Sequence, residues 1–279
     1  MLTAIDRLAD KWKSWQDRRD LAVFLKNGCK PWTQGYGQYR RDQIIRAMND
    51  QIDIDGLPKG FGFRLDDRIV EYPWVVSQLP KEDSKLLDAG STLNQDFMMP
   101  LLRRHKTWIT TLAPEKRNYL AQGISYTFED IRALSFKSDY FDTVACISTL
   151  EHVGLDNVKI YKDEVSRTEL ASGGFVEAVQ ELRRVVRSGG SVLLTVPFGK
   201  HVNHGWFQIF DEAMVAQIIE AFNPKSQKQW YFKYTPEGWV NSMPFDLREA
   251  TYFDINTAKV YDDDFAAASR GLVALRLTK

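Results

Sequence analysis

Three of the four histidines in this 279-residue chain stand where a proton acceptor would be useful. His152 follows the apolar, β-branched run Phe-Asp-Thr-Val-Ala-Cys-Ile-Ser-Thr at 141–149, with Glu151 beside it to orient the ring. His201 and His204 lie in Gly-Lys-His-Val-Asn-His-Gly-Trp at 199–206, a loop after the apolar run 192–196. Imidazole titrates nearest to neutral pH, so each is a candidate general base for a hydroxyl acceptor. For Glu151-His152 the alternative is a pair that only shapes its loop. His201-x-x-His204 has metal-like spacing, but no cysteine or third ligand accompanies it, and no metal is expected.

A second group of chemistry-bearing residues lies at 85–94, Lys-Leu-Leu-Asp-Ala-Gly-Ser-Thr-Leu-Asn. An apolar run that closes on an acidic residue and a glycine is how a buried parallel strand opens onto a ligand, and Gly90 allows close backbone approach. A dinucleotide fingerprint would need further glycines two and five positions on, where Thr92 and Gln95 stand, so a cofactor held by its phosphates is disfavoured. A phosphate-free nucleoside cofactor needs one close approach, and Asp88, Gly90, Ser91 and Asn94 are adequate for that.

These residues need a sheet edge to meet at, and the chain supplies one. Strands are expected at 85–89, 108–112, 124–128, 141–149, 192–196, 229–234 and 271–278, with helices at 96–104, 174–187 and after Asp211. Strand alternating with helix predicts an α/β fold with a mostly parallel three-layer sheet, the last two strands making an antiparallel edge. The second strand runs into Ala113-Pro114, so Glu115 is left to reach the hydroxyls of a nucleoside ribose or to serve only as a first-turn helix residue. Asp130 and Ile131, just past the third strand, suit an adenine amino group and its ring face. The segment 156–173 is either a lid over the acceptor or a solvated insertion.

Ahead of the sheet, Leu2, Ile5, Leu8, Trp12 and Trp15 recur at helical spacing, predicting an amphipathic helix that covers the site or pairs two subunits. The glycine-punctuated stretch 28–37 carries Trp32 and Tyr36 and is a packed corner or a substrate wall. Asp66 or Asp67 would cap a helix from Arg68, and Pro73 would end or kink it. Arg64 is a candidate for a ligand carboxylate or phosphate, or a helix-surface residue. Two units are expected: an N-terminal helical extension over 1–80, as lid or dimer surface, and the sheet domain over 81–279.

Composition narrows the classes. With 37 basic and 37 acidic residues, no global positive field would gather nucleic acid or an anionic membrane surface. Two cysteines build no disulfide framework, and charges interrupt the first twenty residues, so neither signal peptide nor membrane span is read there. A soluble cytoplasmic protein is expected.

Taken together, the motif at 85–94, Phe141-Asp142-Thr143-Val144 leading to Ser148-Thr149-Leu150-Glu151-His152, and Leu182-Arg183-Arg184-Val185-Val186-Arg187-Ser188-Gly189-Gly190-Ser191-Val192 resemble the successive motifs of class I S-adenosylmethionine-dependent methyltransferases, type 11-like. The run at 64–74, Arg-Leu-Asp-Asp-Arg-Ile-Val-Glu-Tyr-Pro-Trp, and Glu151-His152-Val153-Gly154-Leu155 also resemble a bacterial branch found among surface-polysaccharide and glycan biosynthesis enzymes. The resemblance implies a Rossmann-like, doubly wound, seven-stranded sheet, with S-adenosylmethionine as cofactor. It places Asp88 and Gly90 at the methionine end, Asp130 and Ile131 at adenine, and Ser148, Thr149 and Leu150 beneath the sulfonium. Two departures are the one-glycine loop and Ala113. The expected activity is methyl transfer to a small-molecule or glycan-type acceptor at oxygen, with Arg64 and Tyr36 as candidate acceptor contacts and a homodimer as the possible assembly. A non-catalytic cofactor-binding or scaffolding protein is the competing class, and a nicotinamide oxidoreductase ranks last.

Overall fold

Five short apolar runs separated by turn residues form the parallel half of one sheet: β1 (Lys85–Ala89), β2 (Lys106–Thr111), β3 (Ser125–Phe128), β4 (Phe141–Ile147) and β5 (Val186–Pro197). A small hairpin, β6 (Val202–Asn203) and β7 (Gln208–Ile209), precedes β8 (Ser226–Thr235), β9 (Gly238–Ser242) and β10 (Gly271–Thr278). The computed structural model describes residues 4–161, 169 and 171–279, with side chains from Trp15 onward except at 159 and 160. The apolar stripe expected at Leu2, Ile5, Leu8 and Trp12, and residues 159, 160, 162–168 and 170 of the expected lid, fall outside the described side chains.

The main sheet has eight strands in the order β3-β2-β1-β4-β5-β10-β8-β9. From β3 to β5 neighbours are parallel, and β10 runs antiparallel between β5 and β8. The doubly wound, Rossmann-like fold is as expected. One strand is added to the expected seven, because Gly238, at φ +128, turns the chain back and pairs β9 with β8. The strand order reverses at β1, which lies between β2 and β4, so a crevice opens at the carboxyl ends of β1 and β4.

Both faces are covered, as the near-continuous burial of β4 and β5 requires. Leu86 and Leu193 point to a core shared with α2 (Tyr36–Asn49) and α3 (Arg68–Gln78), which follow α1 (Ala4–Lys26). Leu87 and Leu194, one residue on, point to the opposite core, shared with α6 (Gly174–Val185) and α7 (Glu212–Phe222). Between these lie two single-turn helices, α4 (Met99–Leu102) and α5 (Val158–Tyr161). α4 and the 3-10 turn Asp96–Met98 replace the regular helix expected over 96–104, with Pro100 at the new start.

Two local expectations are corrected in α3. Pro73 neither ends nor breaks it: one N–H is lost, while Trp74 and Val75, fully buried, hold the remaining turn against the sheet. Neither aspartate caps it by a side chain, because Asp66 is drawn to Arg40 instead, at 2.5 Å. Asp211 does cap α7, its Oδ1 accepting from the Met214 N–H at 2.9 Å.

Candidate active site

The β1 turn is held from inside. Asp88 is fully buried, and its Oδ2 accepts the Leu93 N–H at 2.8 Å, closing the loop on itself. Burial pushes the Asp88 carboxyl up to about 8, against the opposing pull of that backbone hydrogen bond. Gly90, at φ +116, passes so near β4's end that a Cβ there would lie 2.1 Å from Thr149 Oγ1. The loop is tied outward as well: Thr92 Oγ1 donates to the Ile147 carbonyl at 2.7 Å, and the Tyr72 hydroxyl donates to the Thr92 carbonyl at 2.7 Å. Gly90→Ala should therefore displace Thr149 and lower the melting temperature by several degrees, as scanning fluorimetry would show.

A cavity of about 470 Å³ opens at the carboxyl ends of β1 to β4. Gly90 and Thr92 form one end and Ser148 and Thr149 its floor, while Thr111, Leu112, Asp130 and Ile131 form the other end. Ser148 sits at φ +40, and its hydroxyl donates to Glu71 Oε1 at 2.5 Å. Beyond β2, where Ala113 offers no carboxylate, the Tyr161 hydroxyl of α5 lies 2.9 Å from Thr111 Oγ1. Arg132 bridges Asp130 and Glu169 at 2.5 and 2.6 Å. Burial works against Asp130's charge, but the Arg132 hydrogen bonds outweigh it and hold the carboxyl below its ordinary range.

His152 stands where this cavity meets a smaller one of about 260 Å³. It occupies the 3-10 turn Leu150–His152, with its ring stacked on Trp206 at 5.3 Å. Nδ1 lies 2.8 Å from the Trp206 carbonyl oxygen, which can only accept, so the proton is assigned to Nδ1 and Nε2 keeps its lone pair. Burial pushes the imidazole down to about 4, with the Arg68 charge adding to it and the hydrogen bond to Trp206 opposing. Glu151 Oε1 is 4.0 Å from Nε2.

The smaller cavity is walled by Trp32, Trp206, Phe207 and Tyr252 and by the charged residues Arg40, Asp66, Asp67, Arg68 and Glu151. Arg68 faces both cavities and donates to Glu71 Oε2 at 2.8 Å. Glu71 is wholly buried, its Oε1 also accepting from Thr195 Oγ1 at 2.5 Å.

Of the residues expected at the site, Gly90, Asp130, Ile131, Ser148, Thr149 and His152 line the main cavity. Ser91 lines a separate, outer cavity on the α2–α3 side of the loop. Asp88 and Leu150 are turned away from the main cavity: the first closes its own loop, and the second enters the core under α6. Asn94 donates to Glu115 at 3.2 Å and accepts from the Tyr126 hydroxyl at 2.9 Å, which fastens the two outside the cavity. His201 is bound back to the Ile209 carbonyl across the β6–β7 hairpin, at 2.8 Å, beside a different hollow. His204 stacks on Phe207 at 4.4 Å, on the exposed side of the loop, away from both cavities. Arg64 reaches the Gly28 carbonyl and lies over Phe265, and Tyr36 packs in the core with its hydroxyl accepting from the Asp66 N–H. The aromatic stretch at 28–37 is thus corner at Tyr36 and cavity wall at Trp32. Arg68, Glu71, Tyr161, Trp206 and Tyr252 were not anticipated; the visible signal for the first two was charge set inside the apolar run Arg-Ile-Val-Glu-Tyr-Pro-Trp.

Residues 106–194 match the profile of a family described as "Methyltransferase domain". This stretch is a methyltransferase domain. It spans β2 to β5 and contains most of the cavity wall, so the site described above belongs to an enzyme of methyl transfer, for which S-adenosylmethionine is the cofactor. No curated protein matches the chain. Among solved structures, it is similar to 1,6-didemethyltoxoflavin-N1-methyltransferase of Burkholderia thailandensis, with 14% identity over 71% of this chain and 72% of that one, at TM-score 0.41. A TehB-like SAM-dependent methyltransferase of Corynebacterium glutamicum has 18% identity over 74% and 85%, at TM-score 0.39. Phosphoethanolamine N-methyltransferase 2 of Haemonchus contortus, in complex with S-adenosyl-L-methionine, has 11% identity over 72% and 50%, at TM-score 0.42. No acceptor is carried over from any of them.

The residues present fit the cofactor. The cavity offers apolar cover for a purine ring at Ile131 and Leu112, hydroxyls for a ribose at Thr111 and Tyr161, and a guanidinium for a carboxylate at Arg68. Among the described residues, no helix is long and apolar enough to cross a membrane, and no three metal-ligating side chains cluster.

Proposed function

We propose that this chain moves a methyl group from S-adenosylmethionine to a hydroxyl oxygen of a small-molecule or glycan-type acceptor, with His152 as general base. The observation that carries the reading is the His152 tautomer: Nδ1 is committed to the Trp206 carbonyl, and the basic Nε2 stands between the two cavities. When bound, S-adenosylmethionine supplies an electrophilic methyl on a positively charged sulfur. His152 Nε2 takes the acceptor's hydroxyl proton as the oxygen turns nucleophilic; burial keeps the ring unprotonated at neutral pH, at a cost in basicity. Arg68 holds the carboxylate of the amino-acid end, and Ser148, fixed by Glu71, keeps the floor beneath it. Thr111 and Tyr161 take the ribose hydroxyls, standing in for the carboxylate missing at Ala113. Asp130 and Ile131 flank adenine. Positioning and exclusion of water supply the rest of the rate.

Walls from α3 and the loop before it reach the acceptor side, so we read the segment 1–80 as a cover for the acceptor rather than a separate body. Both cysteines are free, which fits a reducing cytoplasm. The competing reading, a cofactor-binding scaffold without turnover, draws on the occupation of Asp130 by Arg132. Calorimetric titration with S-adenosylhomocysteine tests the cofactor: wild type binds at micromolar concentration, Gly90→Val loses binding and Asp130→Ala weakens it. No binding to wild type at millimolar ligand would overturn the reading, and binding without turnover on an alcohol and sugar panel would favour the scaffold.

A further inference from the structure

The smaller cavity is lined by three carboxyls, Asp66, Asp67 and Glu151, against two guanidiniums, Arg40 and Arg68. Arg40 is paired with Asp66 and Arg68 with Glu71, which leaves Asp67 and Glu151 with no Lys or Arg ion pair among the described residues. Glu151 is 4% exposed, and its Oε2 has no hydrogen-bond partner. Asp66 is 3% exposed, and its Oδ1 has none either. A buried carboxyl oxygen without a partner is costly, and of the carboxyls that line this cavity Glu151 carries one with no ion pair to Lys or Arg elsewhere on the group. Burial pushes Glu151 well above the usual carboxylate range and Asp67 up to about 8, so an ammonium that binds here displaces their protons.

The remaining walls are aromatic. Trp32, Trp206 and Tyr252 line the space with rings, Trp32 beneath the Arg40 guanidinium and Trp206 stacked on His152, and such rings suit an ammonium or the C–H face of a sugar-like ring. Its volume, about 260 Å³, lies below that of ordinary drug-sized sites and suits a single ring. Glu151 Oε1 and His152 Nε2 are 4.0 Å apart, so substituents on adjacent carbons of one ring reach both.

Resting on the methyltransferase reading above, we propose that the acceptor is a ring alcohol carrying an ammonium group on the carbon next to the methylated hydroxyl, with Glu151 and Asp67 holding the ammonium and His152 the hydroxyl. The pocket then selects for positive charge and against phosphorylated or acidic acceptors. The hydroxyl proton goes to Nε2, its oxygen forms the new bond to the methyl carbon, and the sulfur keeps the electron pair of the bond that breaks.

The test is calorimetry on the full chain saturated with S-adenosylhomocysteine, with glucosamine, N-acetylglucosamine, glucose and glucose 1-phosphate as probes. Glucosamine should bind at least tenfold tighter than the two neutral sugars, and glucose 1-phosphate weakest. Glu151→Gln should erase the preference for glucosamine while leaving affinity for S-adenosylhomocysteine unchanged. Asp67→Asn, at a half-buried position, should reduce the preference and guards against a folding failure at Glu151. Equal or tighter binding of a neutral sugar or the phosphate, no binding of glucosamine at millimolar concentration, or a preference that survives both variants would overturn the proposal. Failure of S-adenosylhomocysteine to bind wild type would instead remove the methyltransferase reading on which it rests.

Discussion

His152→Asn should lower kcat by about 10²–10⁴-fold while leaving the affinity for S-adenosylhomocysteine within a few-fold of wild type. Asparagine can still donate to the Trp206 carbonyl, so the loop keeps its tie, but nothing remains where Nε2 stood. His201→Ala and His204→Ala, whose side chains lie away from both cavities, should change kcat by less than about threefold. The pH profile separates a base from a merely structural ring. His152 is active when unprotonated and its proton affinity is pushed down to about 4, so kcat at saturating acceptor should be flat from pH 6 to 8 and fall only as the pH approaches 4. An inflection near 6.5 would mean that an ordinary, solvated histidine is the base. The same depression makes a stability statement: folding favours the neutral ring, so its contribution is present above the unfolded value near 6.5 and is lost as the pH falls toward 4.

The difference between the three histidines was invisible in the letters, because it depends on how the loop after β5 folds. β6 and β7 zip His201 toward Ile209 and leave His204 outside, and the same loop returns Trp206 to cover His152. What could be read was periodic: strands buried on both faces are continuous apolar runs, and the acidic residue and glycine after β1 marked the switch point. Side-chain parity was less legible. Leu150 turns into the core within a 3-10 turn while Thr149 and His152 face the cavity. Asp88 and Asn94 were read as ligand contacts because they are polar and near Gly90, yet a turn in this position needs its own hydrogen bonds satisfied first, and both side chains do that. Of the two hydroxyls at the β2 end, one comes from Tyr161, fifty residues beyond Thr111, and no local spacing could announce it.

Glu71 carries the largest expected effect on stability. Glu71→Ala should destabilise the protein by about 3 kcal/mol or more, a fall of roughly 6 °C or more in melting temperature, because one carboxylate serves three donors from three parts of the chain. Arg68, on its own helix, donates to Oε2, while Ser148 after β4 and Thr195 of β5 donate to Oε1. Removing it strands a guanidinium beside the cavity and two hydroxyls in the core. Ser148 also holds φ +40, a left-handed conformation that a non-glycine residue keeps only when its neighbours enforce it, and its bond to Glu71 is one of the ties that do so. Glu71→Gln retains an acceptor for the hydroxyls but sets an amide against Arg68, so the loss should be smaller, about 1–3 kcal/mol, with weaker binding of S-adenosylhomocysteine through a loosened Arg68. Chemical denaturation followed by tryptophan fluorescence, with the ligand titration repeated on each folded variant, measures both. Variants as stable as wild type would mean that α3 is held by its apolar face alone, through Ile69, Val70 and Trp74, and that Glu71 does not couple this helix to the floor of the cavity.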